Sequence, residues 1–214
     1  MQATAGGATG RPRGRDRASG GATVARAREG GGRSTPAGGF TLIELMVAVA
    51  VLAITLALAI PSFTSVVNGN RLLAQSNELV ASLQLARSEA IRRNAKVVLC
   101  PSDDGSSCRS GSAVWTRWIV QVAGTGEVLR VNAIRDVLQV RASATVTANG
   151  GKLAFYPDGL ARDASYGLLA ASVAVCLPTA RPDQNQRRVT VASGSRVATL
   201  SENTNAACAT PADA

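Results

Sequence analysis

The chain has 214 residues, of which 46% are hydrophobic, 17% charged and 3% aromatic, with a formal net charge of +9. It contains no histidine, which excludes Ser-His-Asp and Cys-His catalysis and histidine-based metal sites. No Walker A, dinucleotide fingerprint or G-x-S-x-G motif is present, and the spacing of the acidic residues does not indicate a catalytic carboxylate pair. We therefore expect neither an enzyme nor a bound cofactor.

Residues 1–39 are predicted to be a disordered basic leader. They are mainly Gly, Ala, Arg, Ser and Thr, a composition that cannot offset the entropy of ordering a chain. Seven arginines against Asp16 and Glu29 give this segment a charge of +5, which leaves +4 for residues 40–214. The high isoelectric point is thus largely a property of the leader and is a weak argument for nucleic-acid binding by the rest.

The next element is a predicted transmembrane helix over residues 40–61. Phe40–Ile60 is 21 residues long, and as a helix it spans about 30 Å, enough to cross the hydrocarbon core of a bilayer. Glu44 is the exception in this span, because no other ionisable side chain occurs between Leu45 and Asn70. A charge there costs about 2.5–3.5 kcal/mol on insertion scales, which marks Glu44 as functional. The arginines before the span predict that residues beyond about 62 are exported.

Residues 38–46 read Gly-Gly-Phe-Thr-Leu-Ile-Glu-Leu-Met. With the apolar span and Pro61, this motif resembles the class III signal of type IV pilins and type II secretion pseudopilins. The resemblance implies that prepilin peptidase cleaves between Gly39 and Phe40, that Phe40 is then N-methylated, and that Glu44 acts in subunit assembly. A carboxylate on an apolar helix can pair with the Phe40 amine of the adjacent subunit. The charge that is unfavourable to insert into the membrane then stabilises the contact between subunits.

An ordinary signal peptide is the alternative interpretation of this region. A cleaved signal peptide has a shorter apolar core followed by a small-residue cleavage site, and Ala-Leu-Ala-Ile-Pro at residues 57–61 mimics such a site. This interpretation leaves Glu44 unexplained, so the pilin-type signal is favoured.

A second helical pattern covers Asn70–Asn94. Its apolar residues follow a 7-4-3-4 spacing, which predicts one stripe packed on the protein's own sheet. The Arg87–Arg93 cluster is interpreted as a solvated face with intrahelical Glu–Arg pairs. Pro61 lacks an N–H and is expected to kink or interrupt the helix, and Asn94 is expected to end it. The stripe consists of Leu72, Leu79, Leu83, Ala86 and Ala90.

The sequence from Asn70 to Asn94, with Val-Val-Leu-Cys-Pro-Ser from Val97, is similar to the GspH/FimT branch of minor pilins and pseudopilins. This resemblance implies an α+β, pilin-like fold in which a long N-terminal helix, transmembrane and then amphipathic, packs on an antiparallel β-sheet head. The implied function is a structural subunit of a type IV pilus or a type II secretion pseudopilus. The chain then divides into a cleaved leader, a membrane helix, an exported helix over 62–95 and a periplasmic β-rich head over 96–214.

The resemblance also implies partners and a location. The partners are other pilins or pseudopilins of the filament, prepilin peptidase and the inner membrane. The protein is expected in the inner membrane as a single-pass protein with its C-terminal domain in the periplasm, and within a filament.

The head is predicted to consist of short strands separated by Gly, Asp, Asn and Pro. Asn149-Gly150 is a hairpin signal and Pro157-Asp158-Gly159 a turn signal. A calcium loop that includes Asp163 is the rejected alternative, since ligand number and spacing do not fit. The bulky core residues are expected to be Trp115, Trp118 and Phe155. The predicted strands are Lys96–Cys100, Ala113–Val122, Val128–Ile134, Val137–Val140, Ala144–Ala148, Lys152–Tyr156, Ser172–Leu177, Arg188–Ala192 and Arg196–Leu200.

All four cysteines fall in the part predicted to be exported. An oxidising compartment favours two disulfides. Cys100 and Cys108 bracket a loop short enough to return on itself, which leaves Cys176 to pair with Cys208. Zinc is disfavoured because histidine and C-x-x-C pairs are absent from the sequence, and no metal site is predicted.

DNA binding during DNA uptake is the alternative function. Some FimT-like minor pilins bind DNA through a Gly-Arg-x-Arg pattern near the C-terminus, and residues 194–198 of this chain read Gly-Ser-Arg-Val-Ala. Serine replaces the first arginine and alanine the second. Arginines on an exposed edge can hold phosphates, but edge charges also block strand pairing. The candidate DNA-binding residues are Arg187, Arg188 and Arg196.

Overall fold

A computed structural model describes residues 38–192 and 194–214, without the side chains of residues 59–62. The predicted leader lies outside the described residues apart from Gly38 and Gly39. The remainder consists of one long helix, two antiparallel sheets and a short second helix.

Helix α1 comprises the 52 residues Leu42–Arg93. It continues through Pro61, so of the two predicted effects the interruption is wrong, and the kink stays a prediction. A proline inside a helix removes one intrahelical hydrogen bond and costs about 3 kcal/mol. The helix extends for several turns on each side of Pro61, and the hydrogen bonds of these turns outweigh that cost. The predicted end of the helix at Asn94 is confirmed. Asn94 caps the helix in a left-handed conformation (φ 50°, ψ 41°), and its backbone N–H donates to the carbonyls of Ala90 and Ile91.

The predicted stripe on α1 is buried, with every member at most 1% exposed. It packs against the inner faces of both sheets and forms one continuous core with them. Three buried polar residues, Gln75, Ser76 and Ser82, lie among these apolar ones, and each is hydrogen-bonded. Ser76 Oγ donates to the Leu73 carbonyl at 3.0 Å. Ser82 Oγ accepts from Trp118 Nε1 at 3.0 Å, and Gln75 Nε2 donates to Glu78 Oε2 at 3.1 Å. The predicted bulky core residues Trp115, Trp118 and Phe155 are likewise at most 2% exposed.

Within the described residues, ten strands form two five-stranded sheets, and all strand pairs are antiparallel. The first sheet has the order β4-β3-β1-β6-β7 and the second the order β10-β9-β8-β5-β2. The elements after α1 are β1 Val97–Pro101, β2 Val114–Trp115, β3 Arg117–Val122, β4 Val128–Ala133, β5 Gln139–Ala142, α2 Ala144–Ala148, β6 Leu153–Phe155, β7 Ala161–Arg162, β8 Ala171–Cys176, β9 Gln186–Ala192 and β10 Arg196–Glu202.

Two local predictions in the head are wrong. Ala144–Ala148 is helix α2 rather than a strand, since one turn suffices to bury Val146 against β8. Asn149-Gly150 ends this helix instead of forming a hairpin, and Gly150 adopts φ +69° there. Residues that tolerate a left-handed backbone serve helix ends and hairpins alike.

The predicted strand Ala113–Val122 is divided between the two sheets. Val114–Trp115 pairs with β5 in the second sheet, and Arg117–Val122 pairs with β1 and β4 in the first. The turn at residues 157–159 is confirmed by a hydrogen bond of 2.8 Å from Gly159 N to Tyr156 O. This turn leads into β7, which has two residues and was not predicted.

The C-terminal end of α1 contains a cluster of charged residues, Glu89, Arg92 and Arg93, whose contribution to stability should depend on pH. Hydrogen bonds from Arg92 and Arg93 lower the pKa of Glu89 from 4.5 to about 2. A lowered folded-state pKa gives stability that is complete above pH 4.5 and is lost as pH falls toward 2. We expect Glu89→Gln to be less stable than wild type at pH 7, with a difference that shrinks between pH 4.5 and 2. Urea midpoints of the two proteins across this range test this, and a difference unchanged at pH 2 would contradict the ion pairs.

Candidate functional site

The candidate assembly residues lie at the start of α1. Gly39 and Phe40 precede the helix, Phe40 is 84% exposed, and a Cβ placed on Gly39 would meet no atom within 4 Å. Thr41 is the N-cap, and its Oγ1 accepts the N–H of Glu44 at 3.2 Å. Glu44 therefore lies in the first turn, where the free N–H groups of the helix favour a negative charge.

Thr41 is a site residue that the sequence interpretation missed. Thr-x-x-Glu is the signature of a capping box, in which the N-cap hydroxyl and the glutamate three residues later satisfy N–H groups at the helix start. Residues 41–44 have this spacing, so the signal was readable. Glu44 therefore takes part in capping its own helix, in addition to its predicted contact with a neighbouring subunit.

The first turns of α1 are an uncovered apolar rod. Every residue with a described side chain from Gly38 to Thr64 is exposed, and the segment has a mean hydropathy of 2.7 over an 18-residue window. By length and composition this helix is able to cross a membrane. A shallow apolar groove along it begins at the residue after Glu44 and is lined by Leu45, Met46, Val49, Ala50 and Ala53.

The structure contains disulfides Cys100–Cys108 and Cys176–Cys208, each with a Cα–Cα distance of 5.6 Å. The first closes a short loop around Asp104, whose pKa is held well below its usual range by hydrogen bonds from Ser106 and Ser107. These are the pairs that the spacing predicted.

The second disulfide holds the C-terminal strap, which we define as residues 203–214, against β8. Cys208 bonds Cys176 at one end of β8, and further on Ser172 Oγ donates to the Ala212 carbonyl. Thr145 Oγ1 donates to Asp213 Oδ2 at 2.7 Å. The strap thus runs antiparallel to β8 over the face opposite the core and reaches α2.

The three candidate DNA-binding arginines are not brought together. Arg188 Nε bonds Glu202 Oε1 at 2.6 Å, and the Arg188 side chain is 17% exposed. Arg187 is the adjacent strand residue, so it points to the opposite face, and its Nε is buried without a partner among the described residues. Arg196 is exposed at the beginning of β10, opposite Ala192.

The two aspartates of the loop that was rejected as a calcium site, Asp158 and Asp163, bind groups of the protein itself. Asp158 Oδ2 bonds Arg162 Nη2 at 2.6 Å, which lowers the pKa of Asp158. Asp163 Oδ1 accepts the N–H groups of Ser165 and Gly167. Among residues 38–192 and 194–214, no group of three or more His, Cys, Asp and Glu side chains is placed to hold a metal ion.

Solved structures of two proteins are among those similar to the chain. The type IV minor pilin FimU of Pseudomonas aeruginosa PAO1 is 20% identical over 60% of this chain and 92% of that chain, with a TM-score of 0.45. The minor pseudopilin EpsH from the type II secretion system of Vibrio cholerae is 13% identical over 61% of this chain and 97% of that chain, with a TM-score of 0.44. A search of curated protein sequences returned no match.

Two family models match the sequence. The prokaryotic N-terminal methylation motif matches residues 36–60, which contain the Gly39–Phe40 junction and Glu44. The type II transport protein GspH model matches residues 75–195, more than half of the 214 residues. The chain therefore belongs to the GspH family and is a minor pilin or pseudopilin, a structural subunit of a type IV pilus or a type II secretion pseudopilus.

Proposed function

We propose that the protein is anchored in the inner membrane by residues 40–61, with its head in the periplasm, and that it enters its filament after prepilin peptidase cleaves the Gly39–Phe40 bond. Its role is structural rather than catalytic. The observation that carries this proposal is the uncovered apolar rod at the start of α1, in which Glu44 is the single carboxylate. The basic leader supports the orientation, because arginines near a membrane span stay on the cytoplasmic side.

In this proposal, Glu44 pairs with the free α-amine of Phe40 on the adjacent subunit. Cleavage creates that amine at the helix start, about one helical turn from Glu44. Two charges that are each unfavourable in hydrocarbon become favourable when they meet. The apolar groove from Leu45 to Ala53 supports the proposal, because it offers the neighbouring helix a surface beside the carboxylate.

Maturation at the Gly39–Phe40 bond is directly testable. We expect protein purified from membranes of cells with active prepilin peptidase to begin at Phe40, because the junction is exposed and precedes the helix. Intact-mass and N-terminal peptide spectrometry would show the loss of residues 1–39 and the addition of one methyl group. An N-terminus near Pro61 would instead support the signal-peptide alternative, and an intact leader would contradict cleavage.

We do not propose DNA binding as a second function. Among the described residues Arg187 points to the face opposite Arg188 and Arg196, and Arg188 is already paired with Glu202. A salt-dependent shift with duplex DNA that is lost in Arg196→Gln would reverse this conclusion.

A further inference from the structure

A basic pocket lies on the outer face of the first sheet, far from the start of α1 in sequence. Val97 pairs with Phe155 and Val98 with Ala154, while Ala154 also pairs with Arg162. Because side chains alternate along a strand, Lys96 and Val98 share a face with Lys152, Ala154 and Arg162. The core residues Leu99, Leu153 and Ala161 belong to the opposite face.

The side chains on the outer face of the sheet enclose a cavity of about 210 Å³. Val98 and Ala154 form its floor and are each 4% exposed. Lys96, Lys152 and Arg162 line it, together with Asn149, Asp163 and Ala164. Three cations and one carboxylate therefore converge on a partly enclosed space, an arrangement that favours an anionic ligand.

The existing contacts leave the two ammonium groups available. Arg162 donates from Nη2 to Asp158 and from Nη1 to the Tyr166 carbonyl, so its guanidinium is held in position. Asp163 is engaged by N–H groups of its own loop. Neither Lys96 nor Lys152 forms an ion pair with any residue in the described ranges.

Two tyrosines form a rim beside the pocket. Lys96 Nζ lies 5.1 Å from the centroid of the Tyr156 ring, and the Tyr156 and Tyr166 rings are 5.4 Å apart. Tyr166 is 67% exposed and adopts φ +64°, a left-handed conformation that is uncommon for a bulky residue. The loop thus holds an aromatic ring in solvent next to the basic pocket, where a planar group attached to an anion can stack.

We propose that this pocket binds one phosphate group, either free or as part of a nucleoside monophosphate. A phosphate presents several oxygens in three dimensions, which matches cations arranged around a cavity, whereas a carboxylate presents two oxygens in one plane. The edge of the Arg162 guanidinium that would bind a ligand carboxylate is already occupied, because Nε and Nη2 both donate to Asp158 Oδ2. Ammonium groups bind phosphate as point charges, and this role falls to Lys96 and Lys152.

Isothermal titration of the full chain in uncharged detergent tests the proposal, with inorganic phosphate, a nucleoside monophosphate and acetate as probes. We expect one saturable phosphate site, weaker binding of acetate, and at least an approximately tenfold loss of phosphate affinity in Lys96→Gln/Lys152→Gln, a loss equivalent to about 1.4 kcal/mol. Arg181→Gln is the control, since it removes an exposed cation from the loop that follows β8 in the other sheet, and it should leave the affinity unchanged. The arginines of residues 1–39 are common to every variant, so their background cancels.

The two sources of phosphate are separated by Tyr166→Ala. If the monophosphate binds more tightly than free phosphate and this variant removes the difference, the ligand is nucleotide-like. Equal affinities that are insensitive to Tyr166→Ala indicate free phosphate. The proposal would be overturned by the absence of a saturable site, by equal losses of affinity in the lysine and Arg181 variants, or by acetate bound as tightly as phosphate.

Discussion

Replacing Glu44 with glutamine should lower the amount of subunit in sheared filaments at least about tenfold relative to the total membrane-bound subunit, corresponding to about 1.4 kcal/mol or more of lost assembly free energy. Glutamine has nearly the same size and can still occupy the capping-box position at the helix start. The substitution therefore removes the charge while it preserves the cap. Membrane insertion should be unchanged or easier, because a charge has left an apolar helix.

Thr41→Ala is the matched control for the Glu44 experiment. It removes the hydroxyl that accepts the Glu44 N–H and should destabilise the helix start by about 1 kcal/mol, but it leaves the carboxylate in place. Quantitative immunoblots of sheared and membrane fractions compare the two variants. Normal incorporation of Glu44→Gln, or a larger defect in Thr41→Ala, would show that the capping role rather than the charge explains the residue.

Removing the Cys176–Cys208 disulfide should destabilise the head by up to about 4 kcal/mol, according to the loop-closure entropy of the unfolded chain. The double variant Cys176→Ser/Cys208→Ser avoids a leftover thiol. It should also release the C-terminal strap from β8, because all residues from Asn203 to Ala214 except Pro211 are exposed or half-buried. Urea unfolding measures the first effect, and hydrogen exchange at Ser172 and its β8 neighbours measures the second.

Cys100→Ser/Cys108→Ser is the control for this disulfide. Its loop is shorter, so the same entropy relation gives about 2.5 kcal/mol, and the strap should stay in place. Non-reducing peptide mapping of wild type checks the pairing directly. Recovery of Cys100 linked to either distal cysteine, or an equal loss of β8 protection in both double variants, would contradict the arrangement.

The features that could be predicted from the sequence are those set by local pattern. An uninterrupted apolar span with Glu44 inside it can be recognised without a fold, since the cost of an isolated charge depends on its immediate surroundings. The stripe on α1 follows from the helical repeat, and its burial confirms that interpretation. The short Cys100–Cys108 loop was likewise decided by spacing, which left the pair Cys176–Cys208. The capping role of Thr41 could have been predicted from the same kind of local pattern, but it was missed.

Other features depend on residues distant in sequence and were decided by the tertiary structure. Residues 144–148 have strand-like composition but form α2, because a single turn fits against β8. Arg188 looked free in sequence, yet the register of β9 with β10 places it beside Glu202. Lys96, Lys152 and Arg162 come together only because β1, β6 and β7 are neighbours in one sheet. Local periodicity predicts which face a side chain occupies, but only strand order and register determine which distant side chains share that face.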